Sequence, residues 1–436
     1  MTVRIPELRA IAHRPSLALL AAALVVAGCA APDTQQSQAP SGSAAAISSA
    51  SAAPTPTSSP TPAPTASPVS VPTSSTATFT LLPAKQPADF VSQISCTGSI
   101  GVSDPVAIVQ LHAADRTSRG VVLRDYADPA TPRTACTFAE GYQIVQLIDA
   151  RHIVVDGRGT GSRNTYAVVD LPEVRFHWFQ LPDPNHTEPH WLATVVGVSP
   201  GLDQVLWLAA DPAGGETDNV HITTSAGDQV VASLPNPHGG RCGSGDDSKQ
   251  GAYTHSGAHL FVLDQPYSSL NSLVAVEGQT PLLSVVPPSA GWPQGAHPAM
   301  AVWSPTSETL YYRRGTDVWK WTPGSDPERY LPGVSWSYPT ITPDGGHLAY
   351  TAASPDGTPD TYLIDLAHGG SPQMIGKGAR TSPVFLNSTQ LWFKPVDTGC
   401  ISSLHQPLIY NIADGSEAPS IIDRVITVWP ATSSNY

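Results

Sequence analysis

The sequence predicts an all-β chain: a β-propeller of four-stranded antiparallel blades, most simply seven, with six or eight as the neighbouring possibilities. Three observations lead there. Beyond residue 80 no segment keeps a 3.6-residue apolar period; short runs rich in Val, Ile, Leu, Tyr and Trp recur instead, punctuated by Pro, Gly, Asp and Asn. These runs group into copies roughly 40 to 57 residues apart, the range of propeller blades. Strand-like runs are left over at both ends of the domain, so one blade can be shared between them and the ring closed without free edges.

The chain has 436 residues, and its N-terminal part does not belong to that domain. Arg4, Arg9 and Arg14 precede the apolar run LALLAAALVVAG at 17–28. The run is too short for a membrane-spanning helix and fits the core of a cleavable signal peptide over residues 1–28. It ends in Val26-Ala27-Gly28-Cys29, which resembles the bacterial lipobox. The resemblance implies a diacylglycerol thioether on Cys29, cleavage before it and an extracytoplasmic protein held to the cell membrane by lipid alone. Residues 29–78 are almost entirely Ala, Ser, Pro, Thr and Gln. Such a stretch cannot bury enough apolar area to offset chain entropy, so it reads as a disordered tether. The domain is expected over 79–436.

The formal net charge is −13, and about −15 once the signal is removed. That sign argues against nucleic acid and against electrostatic docking on anionic lipid. Four cysteines remain in the mature domain, Cys96, Cys136, Cys242 and Cys400. An even count in an exported chain reads as two disulfides, with three connectivities open. Topology favours Cys96–Cys136, within the N-terminal segment, and Cys242–Cys400, between long loops of one face. The cysteines are too scattered for zinc, and the sequence calls for neither a metal nor a cofactor.

Six copies superpose. Their first strands are YQIVQLID (142–149), TVVGVSP (194–200), GAYTHSG (251–257), AMAVWSP (299–305), YPTITPDG (338–345) and SPVFLNS (382–388). Second strands follow a tight turn, as in HIVVDG, HLFVLD and HLAYTAA; third strands include TYAVVDL and TYLIDLAHGG; fourth strands are weaker, ending with APSII. The copy at 338–378 has Thr342-Pro343-Asp344-Gly345 in its first turn, where Pro fixes φ, Asp caps the turn and Gly supplies positive φ. This copy, and Trp303-Ser304-Pro305 with Asp317-Val318-Trp319 in the copy at 299–332, resemble the WD-like repeat of TolB-type β-propellers. The close resemblance covers about 80 residues and the strand pattern alone nearly 300. Residues 105–139 hold three further strands, and RVITVWP at 424–430 holds one whose ITVWP resembles AVWSP. The C-terminal strand is therefore expected to complete the blade begun by the N-terminal segment.

Motifs with a chemical look are few. Gly197-Val198-Ser199-Pro200-Gly201 spells a nucleophile elbow, but Pro200 has no N–H for an oxyanion hole and the segment occupies a hairpin turn. Gly157-Arg158-Gly159-Thr160-Gly161 precedes no helix and reads as a loop. Pro189 keeps His186, Glu188 and His190 off one helical face, and Asp246-Asp247 with His238 is a weak cation motif.

A broader pattern lies in the connections between blades and between second and third strands, which topology places on one face. The long ones, 182–193, 211–219, 235–250, 287–298 and 397–407, and their neighbours carry His190, Trp191, Trp292, His297, Trp336, Tyr338 and His405. These rings either form a recognition surface or fill space in the channel and between blades. The resemblance to TolB-type propellers implies a monomeric binding or scaffolding module with a cell-envelope protein or glycan as partner. Two alternatives stay open: a glycan or small-molecule sensor using the central channel, and a propeller enzyme of lactonase or sugar-dehydrogenase type. Aromatic rings on the channel floor would favour the sensor, and convergent carboxylates would favour the enzyme.

Overall fold

The computed structural model describes residues 78–430 apart from Asp89, Gln93 and the stretches 98–99, 102–103, 113–117, 140–142, 158–163, 183–192, 211–216, 236–249, 265–271, 286–300, 355–356, 377–379 and 396–405. The described residues form strands and turns only, with no α-helix among them.

Four strands come first: β1 (Ile94–Cys96), β2 (Val106–His112), β3 (Ser118–Asp125) and β4 (Arg133–Phe138). Six regular blades follow, each an antiparallel meander. Blade I is β5 (Ile144–Leu147), β6 (His152–Asp156), β7 (Thr165–Asp170) and β8 (Arg175–Gln180). Blade II is β9 (Thr194–Val198), β10 (Val205–Ala210), β11 (Thr217–Thr224) and β12 (Gly227–Pro235). Blade III is β13 (Gln250–Tyr253), β14 (His259–Asp264), β15 (Ser272–Glu277) and β16 (Thr280–Val285). Blade IV is β17 (Ala301–Trp303), β18 (Leu310–Arg314), β19 (Asp317–Trp321) and β20 (Glu328–Leu331). Blade V is β21 (Ser337–Ile341), β22 (His347–Ala353), β23 (Pro359–Asp365) and β24 (Gln373–Ile375). Blade VI is β25 (Arg380–Phe385), β26 (Gln390–Pro395), β27 (Leu408–Asn411) and β28 (Glu417–Pro419).

Blade VII closes the ring. Its innermost strand is the C-terminal β29 (Ile422–Trp429), which pairs antiparallel with β2 from Val106↔Trp429 to Leu111↔Ile422. The sheet order is β1-β4-β3-β2-β29, so the chain ends meet in one blade and seven blades result. Two details differ from the sequence expectation. The run APSII is divided: β28 stops at Pro419, and Ile422 already belongs to β29. Blade VII also has a fifth strand, β1, because the segment after Thr78 runs along the outer edges of blades I and VII. Gln180 N–H donates to Leu82 O at 3.0 Å and Ala84 N–H to Trp178 O at 2.9 Å, while β1 pairs with β4. Pairing of this kind covers strand edges that would otherwise be open.

Cohesion lies between blades. Innermost strands β5, β9, β13, β17, β21 and β25 touch in succession, and β29 touches β5. Blade VI meets VII through Val384, Leu386 and Trp392 against Ala107, Val109, Val425 and Val428, with Trp392 Nε1 donating to Ile422 O at 3.1 Å. Phe79 and Leu81 pack into the core shared by blades I and II. Cys96 and Cys136, facing residues of β1 and β4, form a disulfide that fixes the start of the domain to blade VII. Cys29, Cys242 and Cys400 lie outside the described residues.

The first turns of five regular blades are capped by a side-chain oxygen. In blade V, His347 N–H donates to Thr342 Oγ1 at 2.9 Å, Thr342 Oγ1 donates to Asp344 at 2.6 Å, and Gly346 N–H donates to the same carboxylate at 2.9 Å. Burial acts to raise the Asp344 pKa, but bonds from Thr342, Gly346 and Ser388 outweigh it and hold the carboxyl below its usual range. Gly345 has φ +72° and sits so near Thr306 of blade IV that a Cβ would collide with it. Asp149, Ser199, Thr254 and Asn387 cap the corresponding turns with side-chain oxygens. Turn-forming residue types thus fix the hairpin, and packing of turn on turn links neighbouring blades.

Candidate functional site

The meander gives the ring two unlike faces. First-to-second and third-to-fourth turns lie on one, here the turn face. Connections between blades and between second and third strands lie on the other, the loop face. The candidate site is the central channel and its loop-face mouth.

At the turn face a ring pair spans the channel. His255, in the first turn of blade III, stacks on Trp429, at the end of β29 in blade VII, with ring centroids 5.2 Å apart and planes 27° apart. Blades III and VII stand across the ring from each other, so this pair crosses the axis. Burial lowers the His255 pKa, partly offset by the Glu308 carboxylate, and keeps the imidazole neutral in its stack. Glu308 also ties turn III to turn IV, accepting from His259 Nδ1 at 2.8 Å and from Ser256 Oγ at 2.6 Å. The sequence did hold a signal for this pair. In the aligned turns His255 stands where Pro200, Pro305 and Pro343 stand in other blades. A ring that the turn does not need is free to project elsewhere.

The mouth is built differently. Tyr338-Pro339 and Ser382-Pro383 open the inner strands of adjacent blades V and VI with the same bulge. Pairing jumps from Ser337 to Thr340 in one and from Thr381 to Val384 in the other. Tyr338 has φ +51° and Ser382 φ +54°, a left-handed conformation that a side chain and a following proline both disfavour. The blades are linked at this point: Ser382 N–H donates to Thr351 Oγ1 at 3.2 Å and Phe385 N–H to Thr340 Oγ1 at 3.3 Å. Strain of this kind persists where surrounding contacts over-determine the backbone, and it gathers at sites that bind or move.

Of the residues expected to recognise a ligand, the structure describes two. Tyr338 is 36% exposed at the mouth. Trp336 is 0% exposed and must be corrected from ligand contact to packing. Its ring lies among Val302, Tyr311, Val318, Ile341 and Leu348 between blades IV and V, 5.6 Å from Tyr350. Its carbonyl accepts from the Arg313 guanidinium at 3.0 Å, and burial brings the Arg313 pKa down to about 10. His190, Trp191, Trp292, His297 and His405 lie outside the described residues, as do His186, Glu188, His238, Asp246 and Asp247.

Other chemical motifs resolve into structure. Ser199 Oγ donates to Asp203 at 2.7 Å and accepts from Gln204 N–H at 3.0 Å, so it caps its turn as the hairpin reading requires. In blade II, Trp207 Nε1 donates to Thr223 Oγ1 at 3.0 Å, Thr223 Oγ1 donates to Asp228 at 2.7 Å, and His221 Nδ1 lies 2.8 Å from the other carboxylate oxygen. Burial acts to raise the Asp228 pKa, but the bonds from His221 and Thr223 lower it. Thr223 is buried and spends its proton on Asp228, which makes this a brace for Trp207 and not a nucleophile. Among the described residues no three His, Cys, Asp or Glu side chains are placed to hold a metal ion.

No family model matches the chain, and no curated protein matches it. Solved structures do. The β-propeller domain of the trilobed protease from Pyrococcus furiosus is 11% identical, covers 65% of this chain and 84% of its own, and has a TM-score of 0.39. TolB from Acinetobacter baumannii is 14% identical over 66% of this chain and 68% of its own, with a TM-score of 0.31. Dipeptidyl peptidase 4 from Porphyromonas gingivalis is 11% identical over 79% of this chain and 54% of its own, with a TM-score of 0.43. These are likenesses of fold alone.

Proposed function

We propose that the chain is a lipoprotein anchored through Cys29 on the extracytoplasmic side of the cell membrane, whose propeller is a binding module for a cell-envelope partner. The observation that carries this reading is the asymmetry of the ring. One face carries tight turns and is crossed by the His255–Trp429 stack. The connections flanking the described strand ends all leave from the other face. A ring of packed blades with long connections on one side is the architecture of a recognition scaffold. The ring pair across the turn-face end of the channel also favours a second reading, a small-molecule or glycan sensor, because it offers an aromatic surface inside a concave site.

Two experiments test it. Cys29→Ser should release the full chain into the medium or leave it as uncleaved precursor; a membrane-bound, normally processed variant would end the anchoring reading. A photo-crosslinker at Tyr338, on the loop face, should trap a partner in intact membranes. The same crosslinker at Asp414, exposed in the third-to-fourth turn of blade VI, should not. Equal capture at both positions would remove the loop face from the proposal.

A further inference from the structure

A second cleft, away from the channel, opens on the turn face between blades I and II. Its volume is about 180 Å³. Strand register builds it. His152 of β6 faces Asp170 of β7, which faces Arg175 of β8, and in the adjoining row Val168 faces His177. Residues in register share a face of the sheet, so these polar groups end the otherwise apolar side of blade I that packs on blade II. Arg151 and Glu173 come from the two flanking turns, and Phe79, Val168 and Leu202 form an apolar floor.

The polar groups are of both signs, and one carboxylate oxygen among them is left without a hydrogen bond. Arg151 Nη2 and Asp170 Oδ1 are 3.8 Å apart, an ion pair beyond hydrogen-bond length. Asp170 Oδ1 is buried with no hydrogen-bond partner, a costly state for a carboxylate oxygen. Arg175 pairs with Glu173 at the exposed rim, where such pairs contribute little. His152 Nδ1 is engaged by Asp149 at 2.8 Å. Burial lowers the His177 pKa, with Arg175 acting in the same direction, so that imidazole enters as a neutral donor or acceptor.

We propose that this cleft is a saccharide subsite that takes one neutral sugar ring. A simple anion would meet Asp170 and Glu173, and a simple cation would meet Arg151 and Arg175. A ring with neighbouring hydroxyls satisfies both signs: one hydroxyl donates to Asp170 Oδ1 and the next accepts from the adjacent guanidinium. Neutral imidazole can serve either role, and the C–H face of the ring covers the apolar floor. The site is independent of the anchoring and of loop-face recognition.

Histidine-labelled full chain in detergent micelles, followed by NMR of the imidazole resonances, tests this. The probes are glucose, galactose and N-acetylglucosamine, with inorganic phosphate and ethanolamine as the anion and the cation. At least one sugar should shift His152 and His177 together and saturably while leaving His255 unmoved, and phosphate and ethanolamine should not. Asp170→Asn should weaken that sugar at least about tenfold, the scale of losing a hydrogen bond to a charged acceptor. Should Asp170→Asn fold poorly, Arg175→Gln at the rim should give the same direction of loss. No joint shift with any sugar, a saturable shift with phosphate or ethanolamine instead, or undiminished sugar binding by both variants would overturn the proposal. Crosslinking at Tyr338 is read separately, so either idea can fail alone.

Discussion

Replacing Trp336 with alanine separates packing from recognition by its size. An indole buries on the order of 200 Å². At about 25 cal/mol per Å² the transfer of that surface is worth about 5 kcal/mol. The alanine methyl keeps part of this, and the walls formed by Val302, Tyr311 and Leu348 relax in part, which leaves an expected loss of about 3–5 kcal/mol. Tyr338, two residues on and 36% exposed, should lose only roughly 1 kcal/mol on the same change. Urea unfolding followed by circular dichroism measures both. The midpoint for Trp336→Ala should fall steeply with the denaturant slope unchanged, and that for Tyr338→Ala should fall little. A Trp336→Ala midpoint equal to that of Tyr338→Ala would mean that the ring does not hold blades IV and V together, and the packing assignment would be withdrawn.

Three further outcomes are expected. Cys136→Ala removes a cross-link over a sequence separation of 40 residues, for which chain entropy gives a loss of about 4 kcal/mol in thermal or denaturant unfolding; no loss would show that β1 contributes nothing to closure. Gly345→Ala places a side chain at φ +72° against Thr306 and should cost more than about 1 kcal/mol, whereas Gly333→Ala, at φ +71° in open space, should cost only the conformational part; equal losses would refute the turn-on-turn contact. The third outcome is a pH effect. His255 and His177 have lowered pKa values in the folded chain, so below about pH 6.5 the unfolded chain binds more protons and stability falls with pH. The fall in melting temperature from about pH 7.5 to about pH 5.5 should be smaller in His255→Phe, which keeps a ring against Trp429 but cannot protonate; an unchanged fall would contradict the buried stack.

Much of the fold was legible before any coordinates because it is local. Thr342-Pro343-Asp344-Gly345 specifies a turn through its own φ preferences and hydrogen bonds, and alternating apolar runs on either side specify strands. The shared blade was legible too, since ITVWP repeats the first-strand pattern and lacked a blade of its own. The two bulges at Pro339 and Pro383, with positive φ at residues 338 and 382, were not read from the sequence. The break between β28 and β29 inside APSII was not legible, because the two strands share apolar character and differ only in which edge each one pairs with. Nor was the extra strand pairing of the segment after Thr78: three residues such as Ile94–Cys96 have no period, and only the open edge of β4 gives them a partner.

By itself, then, the sequence pointed to an all-β repeat domain, most simply of seven blades with six or eight still open, to its closure between the chain ends and to the turn chemistry of its clearest copy, along with the expectation of a lipid-anchored N-terminus. Tertiary structure alone decided where each ring ended up. Trp336 and Tyr338 are two residues apart on similar chain, yet one is locked between blades and the other is exposed at the mouth. His255 and Trp429 are far apart in sequence and meet across the axis. Local propensity sets the direction of a strand and the hand of a turn. Which surfaces face one another depends on the radius and twist of the closed ring, a property of all seven blades together and of no single segment.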